Sequence, residues 1–274
     1  RSRSRDDRRP DEGGEAGAKV QKMQSDELAI DAAQVQHLVA LQFPAWAGLA
    51  VQRVSSSGTE HAIFRLGRDK SVRMPRFAWA TAPVEKEHQW LPRLKLLPLR
   101  IPEPLGMGEP GEGYPWRWAV HSWLPGEEAA GRITDFVEAA NVLGRFVAAL
   151  QRIDTSGGPR SGPNNHMRGT PLANRDQRTR EAIGQIKEFD RAEVMAAWEE
   201  ALESPPWEGA PVWVHGDLHA HNLLVEDGRI TGVIDFACLS VGDPAADLMA
   251  AWTLLPTCAR RIFRERVEAD DATW

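Results

Sequence analysis

The chain carries only two cysteines in 274 residues, Cys238 and Cys258. They are too few for a disulfide scaffold and are not arranged as a zinc site, so the expected setting is a reducing compartment, the cytoplasm. No run approaches 18 consecutive apolar residues and the N-terminus has no hydrophobic signal region. Neither membrane insertion nor export is indicated, and no membrane partner is expected. Positive charge is not in excess: 33 Lys and Arg stand against 39 Asp and Glu, a net charge of −6. That balance gives no basic footprint for nucleic acid, and it suits a cationic partner better than an anionic one. No H-E-x-x-H occurs, so the zinc-peptidase signature is missing. Tyrosine is represented once, beside eleven tryptophans, for which composition supplies no reason.

What is present divides by texture. Residues 1 to about 25 mix both charges with Gly, hold almost nothing to bury, lack an initiator Met and are expected to be a disordered tail. Ser25 and Asp26 suit the cap of a helix carrying Leu28, Ile30, Val35, Leu38 and Val39. LAVQRVSSS, HAIFRLG and KSVRMPR are β-branched runs split by turn residues, which predicts a three-stranded antiparallel meander. Pro83 opens a helical segment that Pro92 should kink or split, residues 98 to 115 are rich in Pro and Gly, and WRWAVHSWL reads as one more strand. From Thr134, a candidate cap, Phe136, Ala140, Leu143, Val147 and Leu150 recur at intervals of four and three and predict a long amphipathic helix. Residues 154 to 177 read as loop and 187 to 203 as helix. The expected class is α+β, with a sheet-rich lobe over 26–122 and a mainly helical lobe over 123–274.

The chemistry concentrates in VHGDLHAHNLLVEDGRITGVIDF, Val214 to Phe236. His215, Asp217, His219 and His221 alternate, which on a strand would gather them on one side as in a metal hydrolase. The other histidines stand alone in dissimilar contexts, however, and a hydrolase metal needs ligands from separate elements. A kinase reading accounts for more residues. Gly216 permits a tight turn that aims Asp217 into a cleft, and Asp217 and Asn222 have the spacing of the H-R-D-x-x-x-x-N loop. Leu223–Val225 and Ile230–Ile234 flank Glu226-Asp227-Gly228-Arg229, a strong hairpin signal that returns Asp235 beside Asn222. One carboxylate and one amide oxygen suit Mg²⁺.

HGDLHAHN, then IDF, then GDPAADL resembles the aminoglycoside phosphotransferase family of small-molecule kinases. The resemblance implies a protein-kinase-like bilobal fold, with an antiparallel-sheet N-lobe and a mainly helical C-lobe. It also implies ATP or GTP as donor, Mg²⁺ as cofactor and a small hydroxyl-bearing acceptor such as an aminoglycoside or another antibiotic. Asp217 would be the catalytic base, His215 would brace its loop from behind, and Asn222 and Asp235 would hold the metal, although Ala237 replaces the glycine of Asp-Phe-Gly. In the first lobe Arg73, in Val-Arg-Met-Pro-Arg, stands where most members carry a phosphate-binding lysine, and Glu87 matches its acidic helix partner, with Glu85 as a rival. Ser56 belongs to a short serine loop between the first two strands, where no G-x-G-x-x-G occurs and backbone N–H groups would grip phosphate, or which is simply a hairpin turn. Ser122 and Leu124 would offer hinge backbone to the adenine edge. Asp243 and Asp247 are expected to be structural. Members usually continue with further helices beyond the point matching EADDATW, so the expectation is a C-lobe cut short. Two other readings stay open: a pseudokinase-like nucleotide-binding module, and the metal hydrolase.

Overall fold

The computed structural model describes residues 27–55 and 60–274. Ser25, Asp26 and Ser56 lie outside the described residues. Helix α1 (Ala32–Gln42) buries Val35, Leu38 and Val39, and its cap is Asp31, whose carboxylate accepts from the Gln34 N–H at 2.8 Å. The helix therefore starts later than the sequence suggests. Leu28 precedes it, donating its N–H to the carbonyl of Arg76.

Strands β1 (Val51–Arg53), β2 (His61–Leu66), β3 (Lys70–Pro75), β4 (Pro104–Gly108) and β5 (Trp118–Ser122) pair antiparallel in the order β1-β2-β3-β5-β4. The predicted meander is present. Strand β4 is an addition, hidden in the Pro- and Gly-rich segment because it lies at a sheet edge, where proline is tolerated. The register Ile63↔Arg73 and Phe64↔Val72 sets the two faces. Phe64, Leu66, Val72, Met74, Trp118 and Val120 go to a buried cluster with α1, so their alternate neighbours His61, Ile63, Ser71, Arg73 and His121 face the other way. Helix α2 (Thr81–Trp90) follows β3, and Pro92 ends its run by starting a 3-10 turn over Leu91–Leu94.

After β6 (Glu127–Glu128), helix α3 (Phe136–Gln151) is the predicted amphipathic helix, burying Ala140, Leu143, Phe146, Val147 and Leu150. Its cap is Asp135, not Thr134: Asp135 accepts from the Glu138 N–H at 2.9 Å. Helix α4 (Asp176–Gln185) starts within the last two residues of the expected loop and runs on beyond it, and α5 (Arg191–Glu203) starts at its cap Asp190. Strand β7 (Val212–Val214) and the hairpin β8 (Leu223–Glu226) and β9 (Arg229–Val233) come next. Strand β6 pairs with β8, and β10 (Ser240–Gly242) pairs with β7. Helices α6 (Ala245–Leu248), α7 (Ala250–Leu254) and α8 (Thr257–Arg264) close the described chain.

A second buried cluster, around Leu143, Phe146, Trp213, Phe236 and Phe263, underlies this helical part. Trp90 and Leu91, at the end of α2, belong to it, so α2 ties the sheet to the helices. Between the sheet and the hairpin lies a cavity of about 370 Å³. No helix among the described residues is long and apolar enough to cross a membrane.

Candidate active site

The floor of the cavity is the loop after β7. Asp247, 1 % exposed, accepts the N–H groups of His215 and Gly216 through its two oxygens, at 2.7 and 2.8 Å. Gly216 takes φ = +78°, and a Cβ there would stand 2.9 Å from the carbonyl oxygen of Cys238, so no other residue fits this turn without strain. The buried His215 ring accepts the Asp217 N–H at Nδ1 (3.2 Å), so Nε2 carries the proton and donates to the Ile234 carbonyl (3.1 Å). Burial lowers the His215 pKa to about 4 and keeps the ring neutral. The histidine thus links the Asp217 loop to the strand that delivers Asp235.

Asn222 donates its amide to the backbone carbonyl of Asp217 (2.9 Å) and to Asp217 Oδ2 (3.2 Å). The Ile234 N–H in turn reaches the Asn222 carbonyl at 2.9 Å, which fixes Asn222 next to Asp235. The other Asp217 oxygen, Oδ1, pairs with Arg168. Asp235 itself has φ = +62°, uncommon for a non-glycine residue and held by its neighbours.

The roof comes from the sheet and α2. Arg73, 8 % exposed, pairs through Nη1 with Glu87 Oε1 (3.0 Å) and through Nη2 with Asp235 Oδ1 (3.1 Å). Burial raises the Glu87 carboxyl, and Arg73 opposes that rise. Burial, the largest influence, also pushes Asp235 upward, but Arg73, through its charge and its hydrogen bond, together with His61 and His215 outweighs it and brings the carboxyl down to about 2. His61 and His121 line the same roof, lowered by burial to about 4 and about 3, and so add no charge beside Arg73.

The donor set fits a hard cation. The Asn222 amide nitrogen is committed to Asp217, and Oδ1 of Asp235 to Arg73, while Asn222 Oδ1 and Asp235 Oδ2 take no hydrogen bond from the described residues. One amide oxygen and one carboxylate oxygen remain, on residues that both line the cavity. Of the alternating histidines His219 faces the site, its Nε2 standing 3.2 Å from the Asn222 amide nitrogen and 3.5 Å from Asp217 Oδ2. His221 pairs with Glu128 at 2.6 Å, His219 accepts the His221 N–H at 3.2 Å, and among the described residues no three His, Cys, Asp or Glu side chains form a metal-ligand group.

Arg73, Asp217, Asn222, Asp235, Ser122 and Leu124 line one cavity, with Glu87 and His215 directly behind it. The N–H of Ser122 is already donated to the Glu103 carbonyl at 2.8 Å, so that group is not free for a ligand. Glu85 is exposed and pairs with Arg117, which settles the choice between the two acids as partner of Arg73. Sequence reasoning missed the roof histidines His61 and His121, and it missed Arg168. No periodicity or spacing marks Arg168, a lone arginine in an irregular segment.

Residues 51–274 match the profile of the phosphotransferase enzyme family. An aminoglycoside 3'-phosphotransferase of Escherichia coli is 24% identical over 157 residues, 54% of this chain and 58% of that protein. The chain thus matches less than two thirds of the length of that relative. Among solved structures, the GDP complex of wild-type aminoglycoside 2'-phosphotransferase-IIIa superposes with a TM-score of 0.71 at 20% identity, covering 89% of this chain and 86% of that one. Macrolide 2'-phosphotransferase MphH from Brachybacterium faecium gives 0.64 at 21% identity, with coverage of 89% and 86%. These likenesses show the α+β, protein-kinase-like fold. With the family profile spanning the sheet, the catalytic-type loop and the hairpin together, the chain belongs to the phosphotransferase enzyme family.

Proposed function

We propose that this chain moves the γ-phosphoryl group of ATP or GTP to a hydroxyl of a small molecule. One observation carries the reading: the oxygens of Asn222 and Asp235 that take no hydrogen bond from the described residues lie on the same cavity wall as Asp217 and beneath Arg73. Mg²⁺, held by Asn222 and Asp235, would supply charge neutralisation across the donor phosphates. Arg73, fixed by Glu87, presents a delocalised cation to the α and β phosphates, a role in which its planar fork differs from a lysine. Asp217 orients the acceptor hydroxyl and takes its proton late in the transfer, with its loop set by Asp247 and His215. No covalent enzyme intermediate is needed. Backbone of Ser122 and Leu124 forms the hinge side of the nucleotide site. The names of the relatives make aminoglycosides and macrolides the first acceptors to test, with kanamycin and erythromycin as probes.

The test starts with thermal unfolding in ATP and in GTP, each with and without Mg²⁺. A magnesium-dependent rise identifies the donor, because a ligand bound only by the folded chain stabilises it. Asp217→Ala should then lose roughly 10² to 10⁴ in turnover while keeping that rise. Unchanged turnover in Asp217→Ala would sink the assignment, and a nucleotide-dependent rise with no acceptor consumed would favour a binding module.

A further inference from the structure

We propose that Arg168 is a positioning residue for Asp217, holding its carboxylate in the orientation that meets an acceptor hydroxyl. The proposal rests on the phosphotransfer reading above. Arg168 comes from the irregular segment between α3 and α4, far from the catalytic loop in sequence, and its side chain's polar contacts with the described residues all run through one atom. Nη1 donates to the Gly216 carbonyl at 2.8 Å, pairs with Asp217 Oδ1 and lies 3.4 Å from Cys238 Sγ. The other basic side chain within ion-pair distance of Asp217 among the described residues is His219, whose Nε2 stands 3.5 Å from Oδ2, the oxygen that Arg168 does not touch.

The segment is constructed to aim this side chain. His166 and Met167 both take positive φ, 57° and 62°, a costly backbone for non-glycine residues. It is held by Asn165, 2 % exposed, whose amide donates to the Arg168 carbonyl at 2.7 Å and to Ser240 Oγ at 2.6 Å, while its oxygen accepts the Gly162 N–H at 2.8 Å. The backbone of Arg168 is thereby pinned to β10, the strand paired with β7, from which the catalytic loop departs.

The guanidinium fixes one carboxylate oxygen and Asn222 the other, so rotation of the Asp217 carboxylate is opposed from both sides. Nε and Nη2 of Arg168 bond to none of the described residues. The side chain lines a second cavity, of about 1110 Å³, that also meets Gly216, Thr170, Met249 and Trp252. Arg168 therefore stands on the wall between that space and the proposed base. Loss of its grip should lower the frequency of productive alignment, a misplacement that costs on the order of 10² in rate when it reaches an ångström. Nucleotide contacts should be spared.

The experiment is a double-mutant cycle on wild type, Arg168→Met, Asp217→Asn and the double variant, read in two ways. Urea unfolding reports the contact without reference to turnover, and release of ADP or GDP with kanamycin or erythromycin reports its consequence. The expected results are non-additive unfolding energies and a fall in kcat of about 10- to 100-fold in Arg168→Met. KM for the nucleotide should stay within about two-fold, with no further loss when Asp217 is already Asn. Arg168→Lys should restore part of kcat, since one nitrogen makes every contact. Additive unfolding energies, an unchanged kcat, or an equal loss in the Asp217→Asn background would each overturn the proposal. A wild type without turnover counts against the phosphotransfer reading, and the unfolding cycle alone then decides whether Arg168 holds Asp217.

Discussion

Asp247 does not line the cavity, yet it decides where Asp217 stands. Its two oxygens accept consecutive N–H groups of His215 and Gly216, and a neutral amide offers only one acceptor for that pair. Asp247→Asn should leave one buried N–H facing an NH₂ group, at a cost of about 1–3 kcal/mol in unfolding free energy. A urea midpoint that does not move would show that the loop is held by other contacts. The spacing of Asp243 and Asp247 is visible in the sequence, but the partners of Asp247 lie about thirty residues upstream and no local pattern names them. Glu85 and Glu87 were harder to separate by motif than by geometry. Two helical residues two apart point roughly 200° from each other, so only one of them can face Arg73. Arg168 was illegible for a different reason: irregular chain has no period against which a residue can stand out.

The element that delivers Asp235 is the β8–β9 hairpin, closed by Asp227 and Gly228 with φ of 50° and 75°. Both are left-handed, as a two-residue hairpin turn requires, and the Asp-Gly pair announced it. A Cβ on Gly228 would stand 2.2 Å from Thr134 Oγ1. Gly228→Val should therefore cost on the order of 1–3 kcal/mol in stability and weaken the magnesium-dependent nucleotide shift, because the turn sets the path back to Asp235. Equal nucleotide shifts in variant and wild type would detach the hairpin from the site. Helix α3 was legible because its buried residues recur at helical intervals, whereas α4 buries only Ile183 and left no stripe to find. The cap of α3 was misplaced by one position because Thr and Asp both cap helices. Thr134 is instead turned to the hairpin, its hydroxyl donating to the Gly228 carbonyl at 3.4 Å.

At the scale of the whole molecule, acid should be the weak side. His61, His121 and His215 are buried and neutral, lowered to about 4, 3 and 4. The unfolded chain protonates its histidines first, so stability complete above about pH 6.5 is lost as pH falls toward those values, by up to about 1.4 kcal/mol per unit for each ring. Asp247, raised by burial to about 6, and Glu87, raised by burial to about 7, act in the opposite sense: the folded chain takes up their protons earlier and regains part of the loss. Unfolding at about pH 7 and about pH 5 should show a net loss, and His121→Leu should flatten the slope by about 1 kcal/mol per unit. A slope that His121→Leu leaves untouched would mean that this ring is already solvated when the chain is folded. The division into a sheet and a helical part was legible at this scale, because the hydrophobic period changes from two to about four along the chain.

Arg73 sits on the sheet and Asp235 on the strand end of the helical part, 162 residues away, and in the free chain they already hold each other. A molecule whose cation answers its own anion across the cleft is its own first ligand. A phosphate that approaches Arg73 meets a guanidinium already partly answered by Asp235 Oδ1, so the affinity measured for a nucleotide is the difference between two sets of contacts, and Asp235→Asn alters both.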